Sequence, residues 1–448
     1  MTDTMQPTIF ALSSAPGRAG VAIVRVSGPE AGTVLNVMAP SRPKPRMAAG
    51  RAIRHPTTGE TLDRGIVIWF PAPKSFTGED VAELQLHGGR AVVKAVLEAL
   101  GHVPGSRLAE PGEFARRAFE NGKIDLAEAE GLADLIDAET EAQRRQALRQ
   151  ASGELSGLYE GWRSALIDAI ALTEAAIDFS DEADVERTTF DQAREVVAAL
   201  EPAVRRHLDD GHRGEIVREG FHVALIGPPN VGKSSLLNAL ARRDAAIVSE
   251  EAGTTRDVIE VRLDLDGLPI VLSDTAGIRE TAARIEQEGI RRTLRTAEQA
   301  DLIIWLMDAH EPHAALPDEL RDYADRTLSV LNKVDLLPGG SPPTLPDDMI
   351  AISATTGEGL ANLTRRLAAI AAERIGSHED WAITQVRHRR LIEATAESLE
   401  AFLGGDARQI ELRAEDLRRA ADALGRITGR VDVEDVLDHV FKRFCIGK

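Results

Sequence analysis

Only one cysteine, Cys445, stands among 448 residues, which excludes an intrachain disulfide and suits a reducing cytoplasm. No apolar run approaches membrane-spanning length; Leu302 to Met307 has the length of a buried parallel strand. Met1 to Pro7 lacks a basic stretch followed by an apolar one, so a secretory signal is not expected. Positive charge is also short. With 53 Lys and Arg against 72 Asp and Glu, the formal net charge is −19. A chain wholly devoted to gripping nucleic acid is more often basic, so any RNA contact is expected to be restricted or helped by a partner protein. Arg116-Arg117, Arg144-Arg145 and Arg389-Arg390 offer a local patch, yet each pair alone reads as a solvated helix face. Repeats and low-complexity tracts are missing too. What remains, 43% hydrophobic and 28% charged, is an ordinary globular balance with length for two or three domains.

The most informative stretch is Gly227-Pro228-Pro229-Asn230-Val231-Gly232-Lys233-Ser234, a G-x-x-x-x-G-K-[ST] phosphate loop. It follows the apolar run Phe221 to Ile226 and leads into a helical pattern from Ser235 to Leu240. Loop and helix N–H groups can cradle phosphates, Lys233 can reach the β/γ-phosphates, and Ser234 can hold Mg²⁺. Matching parts follow in order. Gly253-Thr254-Thr255-Arg256-Asp257 offers a hydroxyl for Mg²⁺, and Asp274-Thr275-Ala276-Gly277 closes the strand Pro269 to Ser273. Asn332-Lys333-Val334-Asp335 closes the run Thr327 to Leu331. Its Asp335 is acceptor-only, which matches the adjacent donors of guanine and leaves adenine unpaired. Ser353-Ala354 ends another apolar strand and would brace the base. Four such motifs in order, each at or near a strand's end, specify a GTPase.

Around these motifs the periodicity changes. Short β-like runs (Ile9 to Ser13, Val21 to Val26, Ile66 to Phe70, Val81 to Leu86) and a helix from Arg90 to Leu100 predict an α+β region. Arg25 and Glu83 fall on strands there, positions that are usually solvated sheet faces. From Glu113 to about Ala199 the spacing turns helical, with Leu155, Leu158, Trp162, Leu166 and Ile170 in one stripe. Val258 to Asp266 and Pro269 to Asp274 are expected to pair across an Asp266-Gly267 turn, inside a doubly wound sheet with helices between its strands. After residue 380 helices resume, with stripes through Ile392, Leu399 and Phe402 and through Leu417, Ala421 and Leu424. The expected architecture is a multidomain α/β protein with a doubly wound P-loop GTPase domain inserted between two halves of a helical bundle. Its boundaries fall at 1–118, 119–217, 218–376 and 377–448.

Some expected chemistry is missing. Ile278 stands where a water-orienting glutamine often follows the second switch, and no cis arginine finger is apparent, although Arg256 and Arg279 lie in switch segments. Asn230 can place an amide oxygen beside the phosphates and help bind a monovalent cation. Glu286 can act through a bridging water, though a lone helix glutamate is usually solvated.

From end to end the chain resembles the MnmE (TrmE) family of bacterial tRNA-modifying GTPases. The resemblance rests on Pro16 to Gly28, Ser75 to Asp80, Glu83 to Gly89, Pro111 to Ala115, Asn121 to Leu126, Ala133 to Ala138 and the tail Phe444-Cys445-Ile446-Gly447-Lys448. It implies a folate-binding α+β N-terminal domain that joins a homodimer, a two-segment helical domain, and the inserted GTPase. It also implies a flavoprotein partner of the MnmG (GidA) family, which brings FAD. Together the two proteins would add an aminomethyl or carboxymethylaminomethyl group to C5 of the tRNA wobble uridine. The carbon would come from 5,10-methylenetetrahydrofolate or a 5-formyl analogue.

Carried onto this chain, the resemblance assigns folate to Arg25, Glu83, Lys123 and Lys448. It assigns Mg²⁺ to Ser234 and Thr255, and K⁺ to Asn230, Ser249, Glu251 and Thr254. Ser249 and Glu251 depart from the residues common there. Expected GTP contacts are Asn230, Val231, Gly232, Lys233, Ser234 and Ser235, then Ser249, Glu250, Glu251, Ala252, Gly253, Thr254 and Thr255. Asp274, Thr275, Ala276 and Gly277 follow, with Asn332, Lys333, Asp335, Ser353 and Ala354. Glu286 matches the water-positioning glutamate. Cys445 formally opens a C-a-a-X tail, but Lys448 is not a usual prenylation terminus. Its thiol reads either as buried packing or as a candidate participant near the folate.

Two other readings stay open on the residues alone. A ribosome-assembly GTPase of the Era type would carry a KH module with a G-x-x-G clamp, whereas here Gly425 and Gly429 sit on a helical background. A folate enzyme regulated by GTP without RNA is the third.

Overall fold

The computed structural model describes residues 6–179, 183–210, 212–243, 245–247, 259–274, 294–311, 316–337, 346, 349–376, 383–406, 408–431 and 434–448. The chain divides into two compact units: Met1–Ala133 with Gln150–Gly161 and Leu424–Lys448, and Asp134–Arg149 with Trp162–Ala423.

The first unit is built on a sheet of β1 (Thr8–Leu12), β2 (Val21–Ser27), β3 (Ala49–Arg54), β4 (Thr61–Phe70), β5 (Val81–His87) and β6 (Ser106–Leu108), in the order β3-β4-β5-β2-β1-β6. Alternation along β2 and β5 sends Ala22, Val24, Val26, Ala82, Leu84 and Leu86 to one face. There the helices Ala31–Met38 and Arg90–Gly101 bring Val34, Leu35, Val96 and Leu100 into the same core. Each large apolar side chain so buried contributes about 1.5–3 kcal/mol. Arg25 and Glu83 point to the opposite face and are cross-strand partners in the β2–β5 ladder. Both side chains are mostly buried there, so neither is the solvated strand charge that composition suggests. β3, β6 and the helix Ala31–Met38 were not among the expected elements.

Members of each basic pair are engaged by carboxylates of their own unit. Arg117 is 3% exposed and donates to both oxygens of Glu79 at 3.1 Å, to Glu113 at 2.9 Å and to the Pro7 carbonyl at 2.8 Å. In the second unit, Arg144 and Arg145 both pair with Glu141, and Arg389 is turned inward.

The second unit carries the doubly wound sheet: β7 (Phe221–Ile226), β8 (Ile259–Leu265), β9 (Leu268–Asp274), β10 (Leu302–Asp308), β11 (Thr327–Asn332) and β12 (Met349–Ala351), ordered β12-β11-β10-β7-β9-β8. All neighbours are parallel except β8 and β9. Those two meet across Asp266 and Gly267, whose φ values of 55° and 83° match a two-residue turn with both central residues left-handed. Between β10 and β11 lies a 3-10 stretch, Asp318–Arg326, where the sequence pattern suggested a helix.

Helices that precede and follow this sheet in the chain pack together. Ala183–Leu208 and Val386–Gly404 meet through Phe190 and Phe402, with ring centroids 5.8 Å apart, and Arg194 donates to the Leu403 carbonyl at 2.7 Å. Where the chain leaves one helix and returns to the other, Arg389 closes the gap. It donates to Asp210 and to Glu215, each at 2.8 Å, and to the Leu208 carbonyl at 3.1 Å. Asp210 in turn accepts from the Ile383 N–H at 3.1 Å.

Next to this clasp His207 packs edge-on against Trp162, centroids 5.4 Å apart. Burial pushes its imidazole down to about 4, with the Asp210 charge opposing and Arg389 and His388 adding to the effect. A histidine held below its ordinary value of 6.5 stabilises the fold fully above that pH and loses the contribution as pH falls toward the folded value. The difference is worth about 3 kcal/mol. Melting temperature should therefore drop between about pH 7 and pH 4.5, and drop less steeply in His207→Leu; parallel profiles for the two proteins would refute this.

Candidate functional site

The strand β7 delivers the chain to the phosphate loop, and the helix Lys233–Ala241 takes it away. First-turn N–H groups of a helix have no intrahelical partner, so an anion bound there satisfies them. Two loop residues are left-handed, Asn230 at φ 61° and Gly232 at φ 102°. Gly232 also has no room for a side chain, since a Cβ would collide with Asn332 Nδ2. Lys233 is buried and donates to the carbonyls of Gly227 and Pro228 at 2.8 and 2.9 Å. Burial pulls its pKa down, and the nearby Asp274 charge works against that.

Asp274, at the end of β9, is buried and accepts from Ser234 Oγ at 2.9 Å. An exposed hydroxyl beside a carboxylate oxygen is the hard-oxygen donor set that suits Mg²⁺. Val231 is buried and Ser235 exposed at the start of the helix.

The segments expected to read the base converge on the same loop. Asn332 Nδ2 donates to the Val231 carbonyl at 2.9 Å, and its Oδ1 accepts from the Ala354 N–H at 3.0 Å. Lys333, at φ 68°, donates to the Asn230 carbonyl and to Asp308 Oδ2, both at 2.7 Å. Ser353 is fully buried and accepts from the Thr356 N–H at 3.0 Å. Asp335 Oδ1 is buried with no hydrogen-bond partner among the described residues. A buried acceptor without a donor is costly, and a ligand presenting N–H groups relieves it. Asp308 was not singled out from the sequence; a carboxylate closing an inner parallel strand is the signal that points to it. Ser249, Glu250, Glu251, Ala252, Gly253, Thr254, Thr255 and Arg256 lie outside the described residues, as do Thr275, Ala276, Gly277, Ile278, Arg279 and Glu286.

The first unit gathers a second polar group. Arg25 donates through Nε and Nη2 to Glu83 Oε1 at 3.1 and 2.9 Å. Its guanidinium lies 5.5 Å from the Phe76 ring centroid and 5.8 Å from that of Phe114. The tail is drawn to this place by three contacts. Ser13 Oγ donates to the Gly447 carbonyl at 2.8 Å, Ile446 bridges to Pro111, and Phe444 is buried among Ala115, Leu126 and Phe441. Lys448 is half-buried; burial lowers its pKa and the Arg25 charge adds to that, while Cys445 and Glu83 oppose. Arg25, Glu83 and Lys448 are thus assembled from opposite ends of the sequence. Lys123 instead lies against Gly78, where a Cβ would crowd its stem. Cys445 is exposed, which overturns the packing role, because Phe444 takes the buried position beside it.

A mostly parallel sheet whose first strand runs through a glycine-rich loop into a helix N-terminus, with Asp274 and Asn332 closing strand ends around that loop, defines a P-loop GTPase fold. The chain belongs to the MnmE (TrmE) family: a family model described as MnmE helical domain matches residues 126–445, and one described as GTP-binding protein TrmE N-terminus matches residues 8–123. The tRNA modification GTPase MnmE of Parvibaculum lavamentivorans is 55% identical, covering 98% of this chain and 100% of that protein. Its namesake in Maricaulis maris is 53% identical over 99% of this chain and 100% of that one. Among solved structures, the FeoB G-domain from Methanococcus jannaschii aligns at TM-score 0.27 and 25% identity, covering 34% of this chain and 97% of that one.

The lone acceptor at residue 335 generates a test. Asp335→Asn exchanges one acceptor oxygen for an amide donor and should weaken GTP binding by about 100-fold while favouring XTP, whose matching edge presents a carbonyl. Nucleotide titrations check this, and a wild-type protein that binds ATP as well as GTP would contradict the reader.

Proposed function

We propose that this chain is a potassium-activated GTPase of tRNA modification. With a flavoprotein partner of the MnmG (GidA) family, it uses a one-carbon tetrahydrofolate to add an aminomethyl or carboxymethylaminomethyl group at C5 of the wobble uridine, position 34. The observation that carries the GTP part is the buried, unpartnered Asp335 Oδ1, on a segment that Asn332 and Lys333 tie to the phosphate loop. The relatives' name, tRNA modification GTPase, supports the RNA part.

In this reading Lys233 leaves its loop carbonyls for the β/γ-phosphates. Ser234 holds Mg²⁺ with Thr255, and Asp274 beneath keeps the hydroxyl oriented. Asn230, Ser249, Glu251 and Thr254 hold K⁺. When bound, the two cations supply positive charge where the phosphoryl oxygens develop negative charge, which an arginine finger does elsewhere. Glu286 orients the attacking water, a task that Ile278 cannot perform.

The tetrahydrofolate supplies the transferred carbon when bound. Glu83 offers an acceptor and Arg25 donors at one spot, flanked by Phe76 and Phe114, which suits a flat heteroaromatic ring with mixed edges. Lys123 and Lys448 add cationic reach for the folate's carboxylates, and the exposed thiol of Cys445 stands next to Lys448. The protein works as a homodimer in the cytoplasm. Among the described residues no helix is long and apolar enough to cross a membrane.

Two experiments test the proposal. GTP hydrolysis at equal ionic strength should run at least about tenfold faster in potassium than in sodium, Asn230→Ala should lose that preference, and Glu286→Ala should hydrolyse slowly in both. Equal wild-type rates in the two salts would reject the cation. In cells lacking the protein, mass spectrometry of tRNA should find the wobble uridine unmodified. A chain without Cys445 to Lys448 should fail to restore the modification while still binding GTP; full restoration would remove Lys448 and Cys445 from the folate chemistry.

A further inference from the structure

We propose that Asp308 is a positioning residue of the nucleotide site: it holds the Lys333 ammonium against the Asn230 carbonyl and so locks the base-reading loop to the phosphate loop. The inference rests on the GTP-binding reading above. Asp308 is the last residue of β10 and sits in register with Asn332, the last of β11, so its carboxylate lies beside Lys333. Oδ2 accepts from Lys333 Nζ at 2.7 Å, while Oδ1 accepts from the His310 N–H and meets His310 Nδ1, both at 3.0 Å. Burial works to raise the Asp308 pKa, but the His310 N–H and the Lys333 ammonium outweigh it and hold it at about 2, so the carboxylate is charged throughout the physiological range.

A lysine carries a flexible stem and a point charge with three donors, and does not aim itself. Here its ammonium is gripped from two sides, by the strand-end carboxylate and by the loop carbonyl at 2.7 Å. Both residues joined by the second bond are left-handed, Lys333 at φ 68° and Asn230 at φ 61°. A non-glycine backbone held there needs outside support, and this bond provides it. Removing Asp308 frees the ammonium, loosens Asn230 and lets the guanine reader, two residues along from Lys333, drift relative to the phosphate cradle.

The test uses the full-length protein and the fluorescent nucleotide mant-GDP. Asp308→Ala should weaken mant-GDP binding about tenfold and raise KM for GTP by a similar factor, with kcat at saturating GTP within about twofold of wild type. Asp308→Asn, of the same shape, should fall between the two. In a Lys333→Ala background, Asp308→Ala should change affinity by less than about twofold, since its effect runs through that lysine. Unchanged affinity in Asp308→Ala overturns the inference. So does a full tenfold loss that recurs in the Lys333→Ala background, because the carboxylate would then serve only its own turn. A wild-type protein that does not bind mant-GDP overturns the nucleotide reading and the inference together; tight wild-type binding beside an unaffected Asp308→Ala overturns the inference alone.

Discussion

The side-chain amide of Asn332 is buried between three segments and has both ends committed to main chain, Nδ2 to the Val231 carbonyl and Oδ1 to the Ala354 N–H. An amide donates from one end and accepts at the other in a single plane, which a carboxylate (acceptor only) or a lysine (donor only) cannot do here. Around it the loop at 227–234, the segment from Asn332 to Asp335 and the turn at Ser353-Ala354 take fixed relative positions. Gly232 is a glycine because this amide occupies the space a side chain would need. Parallel pairing of β7, β10, β11 and β12 makes the arrangement reachable, since it aligns the strand ends that carry all three segments on one edge.

In the first unit the equivalent constraint is strand register. Arg25 and Glu83 are ladder partners, and a slip of one strand by one residue would carry its charge to the helix-covered face among Val24 and Leu84 and leave the other charge alone on the opposite face. Their pairing leaves one oxygen of Glu83 outside the bond and one face of the guanidinium toward the aromatic rings. The Gly447 backbone, at φ 101° and pressed against β1 so that a Cβ would strike Leu12, is what lets the tail lie close enough for Lys448 to feel the Arg25 charge.

Much of this is legible in the sequence, and the exceptions share a cause. Strand ends with chemically distinctive residues, from the phosphate loop to Asn332 and Asp335, could be read because local spacing alone defines them. The turn at Asp266-Gly267 was readable for the same reason. β3, with Gly50 and two arginines, and β6, three residues long, lack any run that alternates clearly. The helix Ala31–Met38 spans little more than two turns, too few to establish a period. Arg117 and Arg389 look like surface charges until the carboxylates that meet them arrive from distant segments, Glu79 in one case and Asp210 and Glu215 in the other. The folate reading of Arg25 and Glu83 came from resemblance; their partnership across β2 and β5 is a property of register that spacing along one strand cannot carry.

The clasp formed by Arg389 has a consequence for the order in which the chain is made. Phe190, Val197 and Val204 are buried, and the helix that packs on theirs begins only at Val386. At roughly 5–20 residues per second, a ribosome needs on the order of 10–40 s to cover that distance. During that interval the whole intervening sheet can be synthesised and closed while the apolar stripe waits uncovered. Asp210 and Glu215 keep the waiting end charged and hydrated until the arginine emerges. The helix that begins at Val386 therefore acts as the seal on the second unit, whose sheet precedes it in the chain.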